Sequence, residues 1–385
     1  MIPYGKQEIN QIDIDEVVDV LRSDFLTQGP KLPLFEQTIS SYCSSKYAVA
    51  VNSATSALHI ACLALGLNKG DWLWTSVNTF VASANCGLYC GAQIDFVDID
   101  PQTYNMCVDT LKQKLIKAKE ENKLPKIVIP VHFAGQSCDM VRIHKLSKQY
   151  GFKIIEDASH AIGGKYLDNP IGGCQYSDIT VFSFHPVKIV TTAEGGVATT
   201  KSYKLAEKMR LLRSHGITRD EKLMTKKSDG AWYYQQVDLG FNYRMTELQA
   251  ALGISQMTRL DEFVTKRHEL QEHYHQLLKE LPVITPLQTQ GSYSALHLYP
   301  IQLQIEKINH TRSQVFFKLR GMGIGVNVHY IPIHTQPYYA SMGFSVGDYP
   351  IAEDYYSRTL SLPMYTQLNN TQQVKIVENL RKALK

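Results

Sequence analysis

Short apolar runs bounded by turn residues alternate with segments of helical periodicity over the first two-thirds of this 385-residue chain. Continuous apolar strands separated by helices are typical of a largely parallel sheet that is covered on both faces and joined by right-handed crossovers. We therefore predict an α/β architecture with seven strands, namely Tyr47–Val51, Trp72–Thr75, Ile94–Asp98, Ile127–Val131, Lys153–Glu156, Ile179–Phe184 and Gly196–Thr199. The helices between them are predicted near residues 55–66, 79–90, 107–119, 139–150 and 202–213.

The pattern changes at Thr246. From there to about Leu281 the chain is predicted to form one or two long helices, and prolines at 282 and 286 end that run. The remainder is predicted to alternate between strands and helices. It comprises a strand at Leu296–Leu303, a helix at Arg312–Leu319, a strand at Val326–Ile331 and two terminal helices. We expect a large domain at residues 1–245, which includes an N-terminal arm, and a smaller α+β domain at residues 246–385. The polar segment Thr218–Trp232 is predicted to be a loop.

Composition excludes several classes of function. The formal net charge is only +4 and basic residues form no long run, so we do not expect nucleic-acid binding. No stretch approaches 18 uninterrupted apolar residues, and the first six residues lack the layout of a secretion signal, so a cytoplasmic protein without a membrane helix is expected. Cys86 and Cys90 have no His or carboxylate partner in their pattern, which favours core packing over a metal site.

One lysine lies in a setting that suits covalent chemistry. Ser183 and Lys188 occupy a strand end and a tight loop between the predicted strands at 179–184 and 196–199. A hydroxyl can bind phosphate and an amine can form a Schiff base, so the pair suits a phosphorylated aldehyde cofactor. Taken alone, Lys188 would be assigned as a solvated surface residue, because almost all lysines are; its neighbouring motifs favour the functional interpretation.

A carboxylate ends the buried strand at Lys153–Glu156. Because ligands of doubly wound sheets bind at the carboxyl ends of strands, Asp157 is a candidate to bind a protonated pyridine nitrogen. The alternative is a helix cap. His160 follows three residues later, within reach of the same ring, although a lone histidine is more often a core residue.

Two further segments suit the same ligand. Small polar residues after the first strand, around Ala54 and Thr55, offer backbone N–H groups and hydroxyls to a phosphate, although helix capping by Ser53 or Thr55 explains them as well. Phe80 follows the second strand and is a candidate to stack on a pyridine ring, with core packing as the alternative.

These four segments, in this order, resemble the DegT-type sugar aminotransferases of the fold-type I pyridoxal-phosphate (PLP) enzymes. The most specific likenesses are the run from Ser183 to Lys188, the run from Thr192 to Gly196, and the run from Glu156 to Ala161. The resemblance implies Lys188 as the Schiff-base lysine and proton shuttle, and Asp157 as the acid on the pyridine nitrogen. It also implies that His160 lies near the phenolic oxygen, that Phe80 stacks on the ring, and that Ala54, Thr55 and Ser183 lie on the phosphate side.

The resemblance also implies an obligate homodimer with shared active sites. The segment Gly240–Arg244 is similar to one through which a neighbouring subunit completes the site, with Asn242 reaching the phosphate. From the residues alone, the apolar helix after Arg244 suits an internal core equally well.

Within the family, the chain is most similar to members that transfer an amino group from L-glutamate to C4 of a UDP-linked 4-keto-6-deoxy-N-acetylhexosamine, a step of pseudaminic acid biosynthesis linked to flagellin glycosylation. The residues that this likeness implies at the UDP-sugar are Tyr4, Asp24, Phe25, Leu26, Thr27, Val328, His329, Tyr330 and Ile331. Pro186 departs from the family, whose members most often have alanine there. The diphosphate requires cationic or N–H donors, for which Arg213, Arg244, Arg312 and Arg320 are unranked candidates. The alternative for each, which is the more common case, is a surface or helix-pairing residue.

Other functions stay open on this reading. A dTDP- or GDP-linked keto-sugar is an alternative substrate, and a non-catalytic regulator with this fold is an alternative function. Lys188 argues against the related sugar dehydratases, which have histidine at that position. A nucleotide-binding dehydrogenase is disfavoured because no GxGxxG motif follows an early strand.

Overall fold

The structure is a computed structural model that describes all residues, 1–385. Its strands are β1 (Tyr47–Val51), β2 (Trp72–Ser76), β3 (Gln93–Val97), β4 (Ile127–Ile129), β5 (Lys153–Asp157), β6 (Lys165–Tyr166), β7 (Asn169–Pro170), β8 (Ile179–Ser183), β9 (Gly196–Thr200), β10 (Ile217–Thr218), β11 (Gln235–Gln236), β12 (Val283–Ile284), β13 (Ser292–Tyr293), β14 (Tyr299–Leu303) and β15 (Thr359–Leu362). Its helices are α1 (Gln11–Leu21), α2 (Lys31–Tyr42), α3 (Ala54–Ala64), α4 (Ala82–Tyr89), α5 (Val108–Glu120), α6 (Met140–Tyr150), α7 (Tyr203–Arg213), α8 (Glu247–Met257), α9 (Leu260–Leu278), α10 (Arg312–Gly321), α11 (Pro337–Ala340), α12 (Pro350–Arg358) and α13 (Asn370–Leu384).

The central sheet has seven strands in the order β1-β9-β8-β5-β4-β2-β3. Strands β8, β5, β4, β2 and β3 pair in parallel, and β9 pairs antiparallel with both of its neighbours. Strand β1 therefore points the same way as β8, and β9 alone runs against the others. The prediction of a mostly parallel seven-stranded α/β sheet is confirmed.

Both faces of this sheet are buried, as its apolar strands predict. Val49 and Val51 of β1 belong to one apolar cluster, which contains α3, α4 and α7. Ala48 and Ala50 point to the opposite face and join a second cluster with α2, α8 and the start of α9. The alternation follows from the two-residue repeat of a strand. Polar residues follow the ends of the strands, where the connecting loops lie.

Local signals in the sequence start the helices that surround the site. The Ser53 hydroxyl accepts a hydrogen bond from the Ser56 backbone N–H and begins α3. Thr246 and Gln249 form a capping box that begins α8. None of the thirteen helices combines the length and the apolar character that a membrane crossing requires.

The C-terminal part forms a smaller α+β unit. Strands β12, β14 and β15 make an antiparallel sheet, and its core contains residues of α9, α10 and α13 together with Ile2 from the N-terminal arm. The predicted α+β architecture of the C-terminal part is thus confirmed. Its boundary at 245/246 stays a prediction, and helix α8, just past that boundary, packs against α1 and α2.

Several predicted elements differ from the structure. The predicted strand Val326–Ile331 is wrong: the segment is extended, but Asn327 exchanges backbone hydrogen bonds with Ser361 in an isolated bridge, and the Tyr330 N–H donates to the Asn78 side chain. A side-chain oxygen from a distant loop therefore accepts the backbone hydrogen bond that a neighbouring strand would accept in a sheet. Helices α1 and α2 and strand β15 were not predicted. The region 246–281, predicted as one or two long helices, forms two, α8 and α9.

Candidate active site

A cavity of about 430 Å³ opens at the carboxyl ends of the sheet strands, where doubly wound folds bind ligands. The loops after β1, β2, β5 and β8 line it, together with the N-terminal arm and the segment around residue 330. The predicted site residues that line it are Tyr4, Ala54, Thr55, Phe80, Asp157, His160, Ser183, Lys188, His329 and Tyr330. Residues up to 326 positions apart in sequence thus meet in one cavity, and their individual roles stay predictions.

Lys188 lies in a loop that the chain closes by its own hydrogen bonds. Its backbone N–H donates to the His185 carbonyl at 2.8 Å, and the Thr192 N–H donates to the Phe184 carbonyl at 2.9 Å. Burial lowers the pKa of the Lys188 amine to about 8, although the Asp157 carboxylate acts in the opposite direction. A substantial neutral fraction near physiological pH makes this amine a nucleophile and a proton carrier.

Asp157 ends β5 with its side chain buried at the cavity wall. Its carboxylate accepts a hydrogen bond from the Ser83 hydroxyl at 2.6 Å and another from the Ser159 backbone N–H at 3.1 Å. No helix begins after Asp157, so the alternative of a helix cap is wrong. Each carboxylate oxygen keeps a further lone pair, so the group can still accept a hydrogen bond from a protonated ring nitrogen.

The start of α3 forms an anion cradle. Ser56 N–H and Ala57 N–H are satisfied by Ser53, whereas the N–H groups of Ala54 and Thr55 have no hydrogen-bond partner in the chain. Unpaired N–H groups and the helix dipole both favour a phosphate at this position. The hydroxyl of Ser183 lines the same cavity.

Gly196 allows the start of α3, which forms this cradle, to lie directly against strand β9 of the sheet. A Cβ at residue 196 would lie 2.4 Å from the Ala54 backbone nitrogen and 2.5 Å from the Ser53 carbonyl oxygen. Real Cβ atoms do not approach backbone so closely. Only glycine therefore lets β9 pass beneath the first residues of α3.

Phe80 and His160 both line the cavity, but they differ in exposure. Phe80 is 60% exposed and faces the cavity, so the alternative of core packing is wrong. His160 is buried, and burial together with the nearby positive charge of Lys188 holds its pKa well below the usual value. The imidazole is therefore neutral at physiological pH.

The structure does not bring every predicted residue to this cavity. Asn242 is exposed and pairs through its backbone with Ser214. The four residues Asp24, Phe25, Leu26 and Thr27 are also exposed and do not line it. Val328 and Ile331 flank the lining residues without contributing to the wall. The roles of all seven stay predictions.

None of the four candidate arginines lines the cavity. Arg213 pairs with Glu36 and donates to the Ala50 carbonyl at 2.7 Å, so its charge is already used inside the fold. Arg312 lies over the ring of Tyr356, and Arg320 lies over Phe316. A single chain thus provides no arginine for a diphosphate in this cavity.

Sequence reasoning missed four polar residues of the site. Ser83 and Thr79 form a hydroxyl chain to Asp157, with 2.8 Å between their oxygens. His185 and Glu194 line the cavity mouth, 3.9 Å apart. His185 and Glu194 lie inside the motifs around Lys188, so their positions in the sequence could have identified them as site residues. Ser83 gave a weaker one, a hydroxyl within an otherwise small and apolar helix.

A buried amine of lowered pKa, a carboxylate and a phosphate cradle around one cavity fit pyridoxal phosphate, and on this sheet they define an enzyme of the PLP-dependent aminotransferase class. The chain belongs to the DegT/DnrJ/EryC1/StrS aminotransferase family, whose model matches residues 7–381. Enzymes of this family use pyridoxal phosphate, which confirms the predicted cofactor.

Individual relatives cover the whole chain. The spore coat polysaccharide biosynthesis protein SpsC of Bacillus subtilis is 38% identical over 100% of this chain and 97% of its own length. The UDP-4-amino-4,6-dideoxy-N-acetyl-beta-L-altrosamine transaminase of Campylobacter jejuni is 36% identical over 96% of this chain and 94% of its own. The solved structure of Helicobacter pylori PseC, an aminotransferase involved in the biosynthesis of pseudoaminic acid, superposes with a TM-score of 0.90 at 31% identity, covering 100% and 99% of the two chains. The predicted fold-type I aminotransferase architecture is thereby confirmed.

Proposed function

We propose that this aminotransferase moves the amino group of L-glutamate to C4 of a UDP-linked 4-keto-6-deoxy-N-acetylhexosamine, as in pseudaminic acid biosynthesis. The observation that carries the chemistry is the meeting of Lys188 and Asp157 at one cavity. The choice of sugar is supported by the likeness to the Campylobacter transaminase and to PseC.

The chain's own residues divide the work of amino transfer. When bound, pyridoxal phosphate supplies an electron-withdrawing ring that stabilises negative charge on the reacting carbon. Asp157, braced by Ser83, keeps the ring nitrogen protonated, because an anionic carboxylate favours a neighbouring positive charge. The N–H groups at the start of α3 hold the phosphate.

Lys188 acts as holder of the cofactor and as carrier of a proton. Its amine would hold the cofactor through the aldehyde carbon and would become free when the amino group of glutamate displaced it. The free Nζ then removes the proton from the glutamate Cα, which a pKa of about 8 permits near physiological pH. In net terms, the amino group of glutamate would be carried by the cofactor to C4 of the sugar: glutamate would become 2-oxoglutarate, with its new keto oxygen taken from water, and the C4 carbonyl would become an amine, with its oxygen lost as water.

We further propose that two subunits share each site. Asn242 is exposed and does not line the cavity of its own chain, which suits a role in a neighbour. The adjoining segment leaves large apolar side chains in solvent, including Trp232 at 73% and Leu239 at 75% exposure. Large apolar side chains left exposed in one segment favour burial against a second subunit.

A panel of keto-sugars tests the proposed substrate. Purified protein with pyridoxal phosphate and L-glutamate is offered UDP-, dTDP- and GDP-linked 4-keto-6-deoxy sugars, and both 2-oxoglutarate and the aminated sugar are quantified by mass. We expect the UDP-linked N-acetylhexosamine to be aminated fastest, by a factor of about ten or more over the others. Faster turnover of a dTDP- or GDP-linked sugar would support the alternative substrates instead.

The same assay has a matched pair of variants. Lys188→Arg keeps the charge but removes a reactive amine, so turnover with every sugar is expected to vanish. Lys204→Arg makes the same change at an exposed lysine on α7 and is expected to leave turnover unchanged. Wild-type turnover in the Lys188→Arg protein would overturn the assignment of the lysine.

A further inference from the structure

Three cysteines meet where helices α3 and α4 pack together, outside the cavity of the active site. Cys62 on α3 and Cys86 on α4 are fully buried, whereas Cys90, at the end of α4, is partly exposed. The sulfur atoms of Cys62 and Cys86 are 3.7 Å apart. Because Cys86 and Cys90 are one helical turn apart, both lie on the side of α4 that faces α3.

The hydrogen bonds of the three thiols give each a different chemical character. The Cys86 thiol donates to the Ser83 carbonyl at 3.4 Å, so its hydrogen is already used inside α4. In its thiol form Cys90 donates to the Cys86 carbonyl at 3.3 Å. Cys62 has no carbonyl partner and contacts the sulfur atoms of both cysteines on α4.

The surroundings of Cys90 favour its thiolate. A hydrogen bond from the Cys62 thiol, followed by the hydrogen bond and charge of His59, lowers the pKa of Cys90 to about 6, although burial acts in the opposite direction. The His59 imidazole is held in place at Nδ1 by the Tyr243 hydroxyl, 3.2 Å away. The thiolate is the form of cysteine that attacks oxidants, so Cys90 combines the reactive form with access to solvent.

Cys62 has the opposite properties. Burial, together with its bonds to Cys86 and Cys90, raises its pKa well above the usual value, so it stays a thiol. It is also closed to solvent, and an oxidant in solution does not reach it directly. An exposed thiolate beside a second cysteine is the arrangement that forms disulfides after oxidation.

We propose that Cys90 is a site of oxidation by hydrogen peroxide, and that Cys62 then forms a disulfide with it that joins α3 to α4. The Cys90 thiolate attacks one peroxide oxygen: the O–O bond breaks, an S–O bond forms, the sulfur is oxidised to a sulfenic acid, and the other oxygen leaves as hydroxide. The Cys62 sulfur then attacks the Cys90 sulfur, the S–O bond breaks, and the departing hydroxide takes the Cys62 proton and leaves as water. In sum, both thiols lose their hydrogens and one peroxide becomes two waters.

The disulfide would connect the two helices that serve the cofactor. Helix α3 begins with the N–H groups of the phosphate cradle. Helix α4 carries Ser83, whose hydroxyl donates to the Asp157 carboxylate and whose carbonyl accepts from Cys86. The oxidation itself takes place outside the cavity and uses no sugar, so it does not depend on the proposed substrate.

Peptide mapping of the wild-type holoenzyme tests the bond. The protein is treated with a small molar excess of hydrogen peroxide without substrates, its remaining thiols are alkylated, and it is digested without reductant. Chymotrypsin is the suitable protease, because cleavage after Tyr89 separates Cys86 from Cys90. We expect one linked pair of peptides, containing Cys62 and Cys90, that is lighter than the two separate peptides by two hydrogens and disappears on reduction. A map in which Cys90 stays unlinked, or in which Cys62 is linked to Cys86 in its place, would overturn the proposal.

Variants separate the two steps. Cys62→Ser keeps a hydrogen-bond donor but removes the sulfur of the second step, so the sulfenic acid of Cys90 should accumulate and be trapped by dimedone. Cys90→Ser should give neither an adduct nor a link. Cys107→Ser is the matched control at the other partly exposed cysteine, whose hydrogen bonds reach no second cysteine, and it should behave as the wild type. Equal trapping in the wild type and in Cys62→Ser would contradict the second step.

Thermal unfolding and binding of pyridoxal phosphate verify that each untreated variant is folded. The peptide map of the wild-type protein requires no substitution, so it decides the proposal even where a variant does not fold. Neither measurement uses a sugar, and an error in the proposed substrate is seen only in the sugar panel.

Discussion

Lys188 illustrates how burial and a nearby carboxylate together set the pKa of an amine. Burial disfavours the ammonium form of the lysine, and the carboxylate partly restores it, which leaves the pKa of the amine at about 8. The amine is thus mostly protonated below pH 8 and mostly neutral above it. Only the neutral form attacks an aldehyde.

The capture of the cofactor by cofactor-free protein should follow this titration. We expect the initial rate of absorbance change on mixing with pyridoxal phosphate to rise with pH and to reach half its maximum near pH 8. In Asp157→Asn the favourable negative charge is lost, so the pKa of Lys188 falls and the half-maximum should move to lower pH. A midpoint at the value of an ordinary lysine, or an upward shift in Asp157→Asn, would contradict this electrostatic balance.

Residues of the site differed in how readily the sequence revealed them. Lys188, Asp157 and Phe80 were predictable because each follows a strand, at a fixed place in a local motif. Arg213 was one of four unranked candidates for the diphosphate, and its partner in the fold, Glu36, lies 177 positions away. Spacing along the chain carries no information about such a pair.

At the scale of elements, the cradle depends on how closely β9 approaches the start of α3. Replacing Gly196 by Ala places a methyl group 2.4 Å from the Ala54 nitrogen, so the helix start must move. We expect affinity for pyridoxal phosphate to fall about tenfold or more, and stability to fall by about 1–3 kcal/mol, as is usual for overpacking. Titration with the cofactor and denaturant unfolding measure the two effects.

Gly321→Ala is the matched control, because a Cβ at that position at the end of α10 meets no atom within 4 Å. It should leave both affinity and stability within experimental error of the wild type, or raise stability slightly. Equal affinities in Gly196→Ala and Gly321→Ala would show that the cradle tolerates a shift of the helix.

Elements of the large sheet were predicted well, and those near the C-terminus less so. Strands buried on both faces give continuous apolar runs, which have few other interpretations. The segment 326–331 also has a strand-like pattern, in which apolar Val326 and Val328 alternate with polar residues, yet it bonds to Asn78 and Ser361 and not to a neighbouring strand. Its conformation depends on tertiary partners, which a local pattern does not contain.

At the scale of the whole molecule, the proposed sharing of sites predicts complementation between two inactive variants. Lys188→Ala lacks the amine, and Asn242→Ala lacks a side chain that is exposed in the single chain. If Asn242 serves the neighbouring subunit, a mixed dimer has one site with both defects and one intact site. Co-refolded or co-expressed variants should then recover up to about a quarter of the wild-type activity, from random pairing of the two chains.

Mixing either variant with itself is the control and should stay inactive. If Asn242 acted within its own chain, both sites of the mixed dimer would be defective and no activity would return. Light scattering of the wild-type protein should give the mass of a dimer, near twice the 43.6 kDa of one chain.

The most direct measurement is the location of the cofactor on the chain. Protein loaded with pyridoxal phosphate is reduced with borohydride, which makes the bond to the amine permanent, and is then digested and analysed by mass spectrometry. We predict that the added mass of the cofactor is found on the peptide that contains Lys188 and on no other lysine. Attachment to a different lysine, with residue 188 unmodified, would contradict the proposed site.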